Sequence, residues 1–412
     1  MTKISRKTLA IVAAICAVFA VASVSVSLTV ALQNASAGVE SPLHVTTQEE
    51  YETAQRYARL EEVYQRLMGE YYKELDSDTL VQGAIDGMME SVGDPYTFYY
   101  TPEDLAKMYE DHNGQYCGVG MLVSSDKQGR LVVLRVFKNS PAQTAGLLPG
   151  DVILSADGEA VSAETTEAMN MATARIKGEA GTYVRLSVLR KEQTLELDIE
   201  RNNVSVNRVE YQILDGNVGY LVLYEFFGDA VSGVREALNA FEEAGVRGII
   251  FDVRSNTGGQ LDICLDICDM VLPEGLIVYT EDRNGRRENY YSNADQCEIP
   301  MVVLVNEMSA SASEIFAASI QDYGVAKIVG TKTFGKGIVQ TQYEFPSDGA
   351  GMQLTTSRYF TPKGRSIHGE GVTPDVVVEM NDSYDASIYA PDMNNDNQLK
   401  TAYDVLLKEI GA

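Results

Sequence analysis

Residues 247–259 read RGIIFDVRSNTGG, a short apolar run that ends at a polar segment with two glycines. Its apolar residues are consecutive rather than alternating with polar ones, which is typical of a strand buried on both faces. A helix is predicted immediately after it, over 260–271. A buried strand, a tight turn and a helix in this order indicate an α/β layer.

Strands and helices continue to alternate on both sides of this run, from about Val204 to the end of the chain. The segment 229–245 predicts an amphipathic helix, with Val231, Val234, Leu238 and Phe241 on one stripe. The other predicted strands are 217–226, 276–281, 301–305, 326–331 and 338–345, and the other predicted helices are 311–323 and a final helix after a solvated loop at 392–396.

The preceding region, 114–203, contains short β-branched runs separated by turn residues. Strands are predicted over 130–137 and 182–190, and a helix over 166–176. Its most specific feature is the loop Gly118, Val119, Gly120 and Met121. Glycines there allow successive backbone N–H groups to face one point and bind a carboxylate, beside a strand edge that can pair with an extended peptide. The alternative is an ordinary tight turn.

Residues 46–113 have the spacing of helices. Apolar residues recur every three or four positions in 51–72 and 80–92. Asp94-Pro95 ends the second helix, and Thr101-Pro102 is a suitable start for a third. We expect a small helical bundle without chemistry of its own.

The N-terminus predicts a membrane anchor. Lys3, Arg6 and Lys7 precede the uncharged, largely apolar stretch 8–32, which is long enough to cross a bilayer as a helix. The alternative is a signal peptide cleaved at Ala35-Ser36-Ala37. In both cases residues after about 38 lie outside the cytoplasm, in a single-pass membrane protein or, if cleavage occurs, a secreted one.

Composition excludes several function classes. The 412 residues include 33 Lys and Arg and 59 Asp and Glu, a formal net charge of −26, which argues against nucleic acid as a partner. Five cysteines, an odd and sparse count, do not suggest a disulfide scaffold or a zinc module. We therefore predict no metal and no cofactor. There are only three histidines, so imidazole catalysis has few candidates.

The candidate chemistry lies in two short segments. Ser311 stands where a strand meets a helix, and Glu314 follows three residues later, which by itself is a capping box. No histidine is near in sequence, so the candidate base is Lys336, between Gly335 and Gly337. A loop lysine of this kind is usually a solvated charge, and only the combination of segments favours a function.

SASASEIFAASIQDYG (309–324), TFGKGIVQ (333–340), SNTGGQLD (255–262) and GAIDGMMESVGDPYTFYYTPED (83–104) together resemble the C-terminal processing (tail-specific) serine peptidases. The resemblance covers the chain from about residue 45 onward. It implies a multidomain α+β and α/β protein with an N-terminal membrane anchor, a helical segment, a PDZ β-sandwich-like domain and a crotonase-like α/β protease core. The corresponding boundaries are 1–38 for the anchor and linker, 39–113, 114–203, 204–380, and 381–412 for a helical tail.

The resemblance also assigns roles. The nucleophile is Ser311, the base is Lys336, and Gln340 completes the catalytic set, its carbonyl lying on the same face of an extended segment as the amine. The oxyanion would be bound by the N–H groups of Ala312 and of Gly259, or alternatively Gly258. Thr257 replaces the family's usual proline in this turn. Because a lysine pKa is about 10.4 in water, burial and the nearby helix N-terminus must lower it.

For partners, the resemblance implies protein or peptide substrates whose free C-termini bind the PDZ loop, and family habit suggests a homodimer. In some members of the family, an arginine of the PDZ domain takes part in gating the active site. The corresponding residue here is Lys177, whose amine cannot form the two parallel hydrogen bonds of a guanidinium, so we do not predict the same gating contact. Cys264 and Cys268 are expected to be core residues, and a Cys117–Cys297 disulfide is left open. Two alternatives remain: an inactive PDZ scaffold, and a crotonase-like enzyme acting on thioesters.

Overall fold

The computed structural model describes residues 47–294, 296–381 and 391–411. The chain divides into two units, with the boundary between Val92 and Gly93. The anchor predicted over 8–32 and the cleavage site predicted at 35–37 lie outside the described residues. Within the described ranges, no helix has both the length and the apolar composition required to cross a bilayer.

The described part of the first unit, residues 47–92, contains the helices α1 (Gln48–Glu70) and α2 (Ser77–Glu90), which confirm the two predicted there. The Asp76 side chain caps α2 by accepting the N–H of Thr79 at 2.8 Å. The hydroxyls of Tyr64 and Ser77 form a hydrogen bond of 2.8 Å between the helices. In the described part of this unit, no side chain of α2 is buried.

The second unit begins with a strand and a helix, β1 (Phe98–Tyr100) and α3 (Pro102–Asn113). The predicted start of α3 is confirmed. Pro102 occupies the first turn, and the Thr101 hydroxyl accepts the N–H of Asp104 at 3.1 Å. This start satisfies an N–H that the helix itself cannot pair.

A β-domain follows. Its elements are β2 (Gln115–Gly118), β3 (Met121–Ser125), β4 (Leu131–Val136), α4 (Pro141–Thr144), β5 (Val152–Ala156), β6 (Glu159–Ala160), α5 (Thr166–Ile176), β7 (Tyr183–Arg190), β8 (Gln193–Glu200) and β9 (Asn202–Ser205). The strand order is β3-β4-β5-β7-β8, all antiparallel, with β6 beside β5 and a separate β2–β9 ribbon. Alternate residues such as Leu131 and Val133 form its core, as the period of a half-buried strand requires.

The α/β layer is built on a second sheet. Its elements are β10 (Val209–Leu214), β11 (Val218–Leu223), α6 (Ala230–Glu243), β12 (Gly248–Asp252), α7 (Leu261–Asp269), β15 (Met301–Val305), α8 (Ala312–Tyr323), β16 (Ala326–Gly330), β19 (Val376–Val377) and α9 (Asn397–Glu409). The order is β10-β11-β12-β15-β16-β19, parallel except at β10. The predicted α/β layering is therefore confirmed.

The two faces of this sheet carry different helices. Ile249 and Phe251 pack with residues of α6, α7 and α8, whereas Ile250 packs with Leu399 and Leu406 of α9. All five residues of β12 are buried, which confirms the strand predicted from residues 247–254. Helices on both faces explain its consecutive apolar residues.

A further sheet lies beside this layer. It contains β13 (Gly275–Asp282), β14 (Arg287–Ser292), β17 (Ile338–Phe345) and β18 (Ala350–Phe360), in the order β1-β18-β13-β14, with β17 also paired to β18. The sequence did not predict β1, β14 or β18. Strand β18 matters for the site because it joins the segment around residue 98 to β17, which begins just after Lys336.

Candidate active site

Ser311 stands at the junction between the carboxyl end of β15 and the first turn of α8. Its backbone has φ 56° and ψ −114°, a left-handed conformation that a residue with a side chain rarely adopts. The turn before Ser311 is held by the chain that follows β12. The Ser309 hydroxyl donates to the Val253 carbonyl at 2.8 Å, and the Ala310 N–H donates to the Asn256 carbonyl at 3.0 Å. A strained conformation held by its surroundings is a common feature of functional sites.

The turn after β12 lies directly against this serine. The Asn256 side chain accepts the N–H of Gly258 at 2.9 Å and donates to the Leu223 carbonyl at 2.8 Å. A Cβ on Gly258 would lie 2.9 Å from the Ser311 Cβ and 3.0 Å from the Ala312 nitrogen. Glycine is therefore required here by the close approach as well as by its φ of 107°.

Two backbone N–H groups beside Ser311 are candidate donors, one in the first turn of α8 and one in the turn after β12. Among the described residues, no hydrogen bond uses the backbone N–H of Ala312 or of Gly259, whereas the N–H of Gly258 is already bonded to Asn256. Of the two glycines considered for an oxyanion site, Gly259 thus retains its donor. Unpaired, preorganised N–H groups are what the stabilisation of a developing oxyanion requires.

Glu314 connects the serine to the lysine loop. Its fully buried carboxylate accepts the backbone N–H of Ser311 at 2.9 Å, of Lys336 at 2.7 Å and of Gly335 at 2.7 Å. It also accepts the Thr333 hydroxyl at 2.5 Å. The bond to Ser311 N–H confirms the glutamate side of the predicted capping box. The larger role, four donors on one carboxylate, was not predicted.

Tyr359 of β18 makes a second connection between the same two segments. Its hydroxyl lies 2.6 Å from the Lys336 carbonyl and 3.1 Å from the Ser311 carbonyl. Burial, and then the charge of Glu314, raises the pKa of this phenol well above its usual value, so it stays a neutral donor. Ser311 and Lys336, 25 positions apart in sequence, are therefore linked by two buried side chains.

The lysine amine is not bonded to the serine. Its Nζ lies 4.3 Å from the centroid of the Tyr96 ring, and among the described residues no hydrogen bond joins it to the Ser311 hydroxyl or to Gln340. Burial lowers the pKa of the Lys336 amine, and the negative charge of Asp94 partly opposes that effect. The lowered pKa agrees with the prediction that Lys336 must become neutral to act as a base.

Gln340 departs from the predicted geometry. Its amide donates to the Thr355 hydroxyl at 3.2 Å. The same-face prediction assumed a regular strand from residue 336 to 340. Instead β17 begins at Ile338 and its register against β18 shifts between Val339 and Gln340. A register irregularity breaks the two-residue alternation on which the prediction relied.

The predicted peptide-binding loop lies between β2 and β3. A Cβ on Gly120, whose φ is 91°, would lie 2.3 Å from the Ser140 Cβ. Val119 and Gly120 are held through their carbonyls, which accept N–H groups of Ala142 at 2.8 Å and Phe137 at 3.0 Å. These two bonds use the carbonyls of the loop and leave its backbone N–H groups out.

Tyr116 faces these amides. Burial raises the pKa of Tyr116 to about 12, and the backbone amides of Met121 and Gly120 partly oppose that shift. Lys177 extends over the same ring, with its Nζ 4.9 Å from the centroid. An aromatic ring and a lysine amine therefore lie together beside the predicted carboxylate loop.

The cysteines have no ligand role in the described structure. Cys264 and Cys268 are fully buried, as predicted, and the Cys264 thiol donates to the Ala312 carbonyl at 3.2 Å. Cys117 and Cys297 are free thiols, so the disulfide left open does not form. Within the described residues, no group of His, Cys, Asp and Glu side chains could hold a metal ion.

Comparison with known families matches three regions of the chain. Residues 217–378 match peptidase family S41, residues 116–200 match a PDZ domain, and residues 17–104 match the activating protease CtpB N-terminal domain. The strands β3 to β8 of the β-domain lie within the PDZ match, and the elements β11 to β19 lie within the S41 match. The match over 116–200 includes the predicted carboxylate loop.

Individual proteins are also similar over most of the chain. A Staphylococcus epidermidis protein named "Probable CtpA-like serine protease" is 35% identical over 357 residues, which span 86% of this chain and 71% of that protein. A Staphylococcus aureus protein of the same name is 34% identical over 78% of this chain and 64% of its own.

Among solved structures, the photosystem II D1 C-terminal processing protease is 29% identical, with a TM-score of 0.50 and coverage of 83% of this chain and 90% of its own. An S41 protease of Bacteroides fragilis is 17% identical with a TM-score of 0.57, covers 79% of this chain and 90% of its own, and supports the fold alone.

Proposed function

Because the chain belongs to peptidase family S41 and is a C-terminal processing serine protease with a PDZ domain, we propose that Ser311 is its nucleophile and Lys336 its general base. The observation that carries this assignment is the double link between the two segments. Glu314 accepts both backbone N–H groups, and Tyr359 approaches both backbone carbonyls. Such a link holds a nucleophile and a base at a fixed separation, which proton transfer requires.

The reaction proceeds through an acyl-enzyme. The neutral amine of Lys336 takes the Ser311 proton as the hydroxyl oxygen attacks the scissile carbonyl carbon. The N–H groups of Ala312 and Gly259 stabilise the oxyanion, and the resulting ammonium returns its proton to the leaving amine. Water then repeats the sequence on the ester and frees Ser311. Gln340 is assigned to orientation of the amine, through the Thr355 hydroxyl it contacts in this structure.

The PDZ domain presents the substrate. A free C-terminal carboxylate binds the amides of Val119, Gly120 and Met121. The peptide then extends along β3 as an added strand. Amidating the C-terminus of a peptide substrate should raise KM with little change in kcat. Equal KM values for the acid and the amide would contradict this role.

The location and assembly belong to the same proposal. The stretch 8–32 anchors the chain in the cell membrane with the protease outside the cytoplasm, unless cleavage at 35–37 releases it. The exposed apolar side chains of the first unit, which include Tyr57, Leu60 and Val63, supply the surface of a homodimer. Membrane fractionation and sedimentation of the full chain test the two parts separately.

The decisive experiment compares single variants on a peptide substrate. Ser311→Ala and Lys336→Ala should each lower kcat/KM by at least about a thousandfold, because each removes a group that acts only in the transition state. Lys332→Ala is the matched control, since Lys332 is an exposed lysine in the same loop. All three should unfold at the wild-type temperature.

Labelling separates an enzyme from an inactive scaffold. A serine-reactive phosphonylating probe should modify Ser311 in the wild type and the Lys332→Ala variant, and not in the Lys336→Ala variant. Cleavage that persists in either the Ser311 or the Lys336 variant would refute the assignment. Turnover of a small thioester in place of the peptide would favour the crotonase-like alternative.

A further inference from the structure

Two residues of the segment before β1 act on the lysine amine. Tyr96 places its ring face 4.3 Å from the Lys336 Nζ, measured to the ring centroid. The Asp94 carboxylate acts on the same amine through its charge. An aromatic face and a carboxylate both attract an ammonium group, and neither attracts a neutral amine to the same degree.

This segment is rigidly attached to β18. Asp94 accepts the Tyr96 N–H at 3.0 Å and the Thr97 hydroxyl at 2.7 Å. Thr97 in turn accepts the N–H of Thr355 at 3.1 Å, and Gln353 donates to the Tyr96 carbonyl at 3.1 Å. The ring and the carboxylate are therefore held in place by the strand that also pairs with β17.

Gln340 belongs to the same network. It donates to the Thr355 hydroxyl at 3.2 Å, and the Thr355 side chain is one of the groups that lower the pKa of Asp94. Although burial alone would raise it, the bonds from Thr355, Thr97 and the Tyr96 amide and the charge of Lys336 bring the pKa of Asp94 below its ordinary value. Asp94 is therefore a carboxylate at neutral pH and acts on the amine as a full negative charge.

We propose that Tyr96 and Asp94 form a resting site for the Lys336 ammonium, and that both are positioning residues that determine at which pH the base becomes neutral. This inference rests on the proposed role of Lys336 as base. The amine must lose its proton and leave the Tyr96 ring before it can accept the Ser311 proton. Gln340 contributes by holding Thr355, whose backbone N–H donates to the Thr97 hydroxyl that in turn donates to Asp94.

Other charged or polar groups at Lys336 act on its backbone. Glu314 accepts its N–H, and Tyr359 donates to its carbonyl. These contacts remain when Tyr96 or Asp94 is replaced, so such variants test the environment of the amine alone. Tyr96→Phe keeps the aromatic face and is the matched control for Tyr96→Leu, which removes it.

The test measures the amine directly and without catalysis. In the full chain carrying Ser311→Ala, the rate of acetylation of Lys336 by acetic anhydride is followed by mass spectrometry across the pH range, with Lys332 as the internal reference. Tyr96→Leu should move the midpoint of Lys336 reactivity about half a pH unit or more to lower pH, since an aromatic contact with ammonium is lost. Asp94→Asn should move it in the same direction.

Tyr96→Phe should leave the Lys336 midpoint in place, and Lys332 should keep its own midpoint in every variant. A Lys336 midpoint that stays or rises in Tyr96→Leu would overturn the resting site. Asp94 also holds the turn, so Asp94→Asn could unfold at a lower temperature than the wild type. In that case the result for Tyr96→Leu decides the test. The outcome does not depend on cleavage, so failure of the resting site is distinct from failure of the Ser311 and Lys336 assignment.

Discussion

Glu314 illustrates how one residue can serve two motifs that are separate in sequence. Its two carboxylate oxygens accept four donors, three from backbone N–H groups and one from the Thr333 hydroxyl. A fully buried carboxylate is stable only when it is bonded in this way. The residue therefore fixes the backbone of both Ser311 and Lys336 without a direct part in the proposed chemistry.

Glu314→Gln should lower both stability and activity. The glutamine amide nitrogen can only donate, so it would face two of the present donors and leave them unpaired. Unpaired buried groups cost about 1–3 kcal/mol each, and we expect the free energy of unfolding to fall by about 3 kcal/mol or more. Urea unfolding and peptide cleavage measure the two effects.

The control is Glu307→Gln, which changes an exposed carboxylate in the same region that accepts only the Thr331 hydroxyl, at 2.8 Å. It should change stability by no more than about 0.5 kcal/mol. Equal losses in the two variants would show that Glu314 has no special connecting role.

At the scale of elements, α9 supports the turn that carries the candidate oxyanion site. Arg254 directly precedes this turn and donates to Asp396 at the start of α9, at 2.8 Å and 3.0 Å. It also donates to Asp252 at 2.7 Å, and Tyr220 donates to Asp252 at 2.7 Å. This buried network joins the last helix to the carboxyl end of β12.

Asp396→Asn should destabilise the fold and weaken catalysis together. Asparagine still caps α9, where Asp396 accepts the Leu399 N–H at 2.9 Å, but it leaves Arg254 with half of its carboxylate partners. Loss of one partner of a buried ion pair costs about 3–5 kcal/mol, and the presence of Asp252 places the expected loss at the lower end. We expect kcat to fall more than KM rises, because the displaced group is the oxyanion turn.

Asp392→Asn is the appropriate comparison, since among the described residues the half-buried Asp392 side chain accepts from Asn394 and Asn395 nearby and from no arginine. Thermal unfolding should separate the two variants clearly. If both unfold at the wild-type temperature, α9 does not support the turn.

The elements also show which parts of the sequence carry local information. The strand over 247–254 was predicted from its consecutive apolar residues, and the helix over 166–176 from its residue pattern. Strand β18 was missed because its half-buried residues, such as Thr355 and Thr356, alternate with no clear apolar face. Its neighbours β1 and β13 come from distant segments, and that pairing has no local signal.

The residues of the candidate site also differ in whether the sequence could identify them. Ser311, Lys336 and the 256–259 turn stood out through short motifs. Tyr96 and Tyr359 did not, because their relation to Lys336 arises only when β18 brings three segments together. Gln340 contacts Thr355 in this structure, and the register shift that places it there cannot be deduced from the spacing of residues.

At the scale of the whole second unit, the β-domain meets the protease core close to the site. Arg135 of β4 stacks on Tyr224, with its guanidinium carbon 3.8 Å from the ring centroid, and donates to the Asn207 carbonyl at 2.9 Å. Two residues after Tyr224, the Phe226 N–H donates to the Gly258 carbonyl at 2.9 Å, and the Phe226 carbonyl accepts the Gln260 N–H at 2.9 Å. A short chain of contacts thus runs from the β-domain to the oxyanion turn.

Arg135→Leu should weaken the coupling between C-terminus binding and cleavage. Leucine fills space beside Tyr224, but it supplies neither the cation for the ring nor the bond to Asn207. Coupling between sites is typically about 1–3 kcal/mol, so the ratio of kcat/KM for a free-acid peptide to that for its amide should fall about fivefold or more. Cleavage of the amidated peptide should change little, because Ser311 and Lys336 are untouched. Arg130→Leu is the matched control, since within the described part of the chain the side chain of this exposed arginine pairs with Asp126 and Gln128 of its own turn and with no residue of the protease core. A preference for the free acid that survives in Arg135→Leu would mean that the PDZ domain captures substrates without acting on the turn.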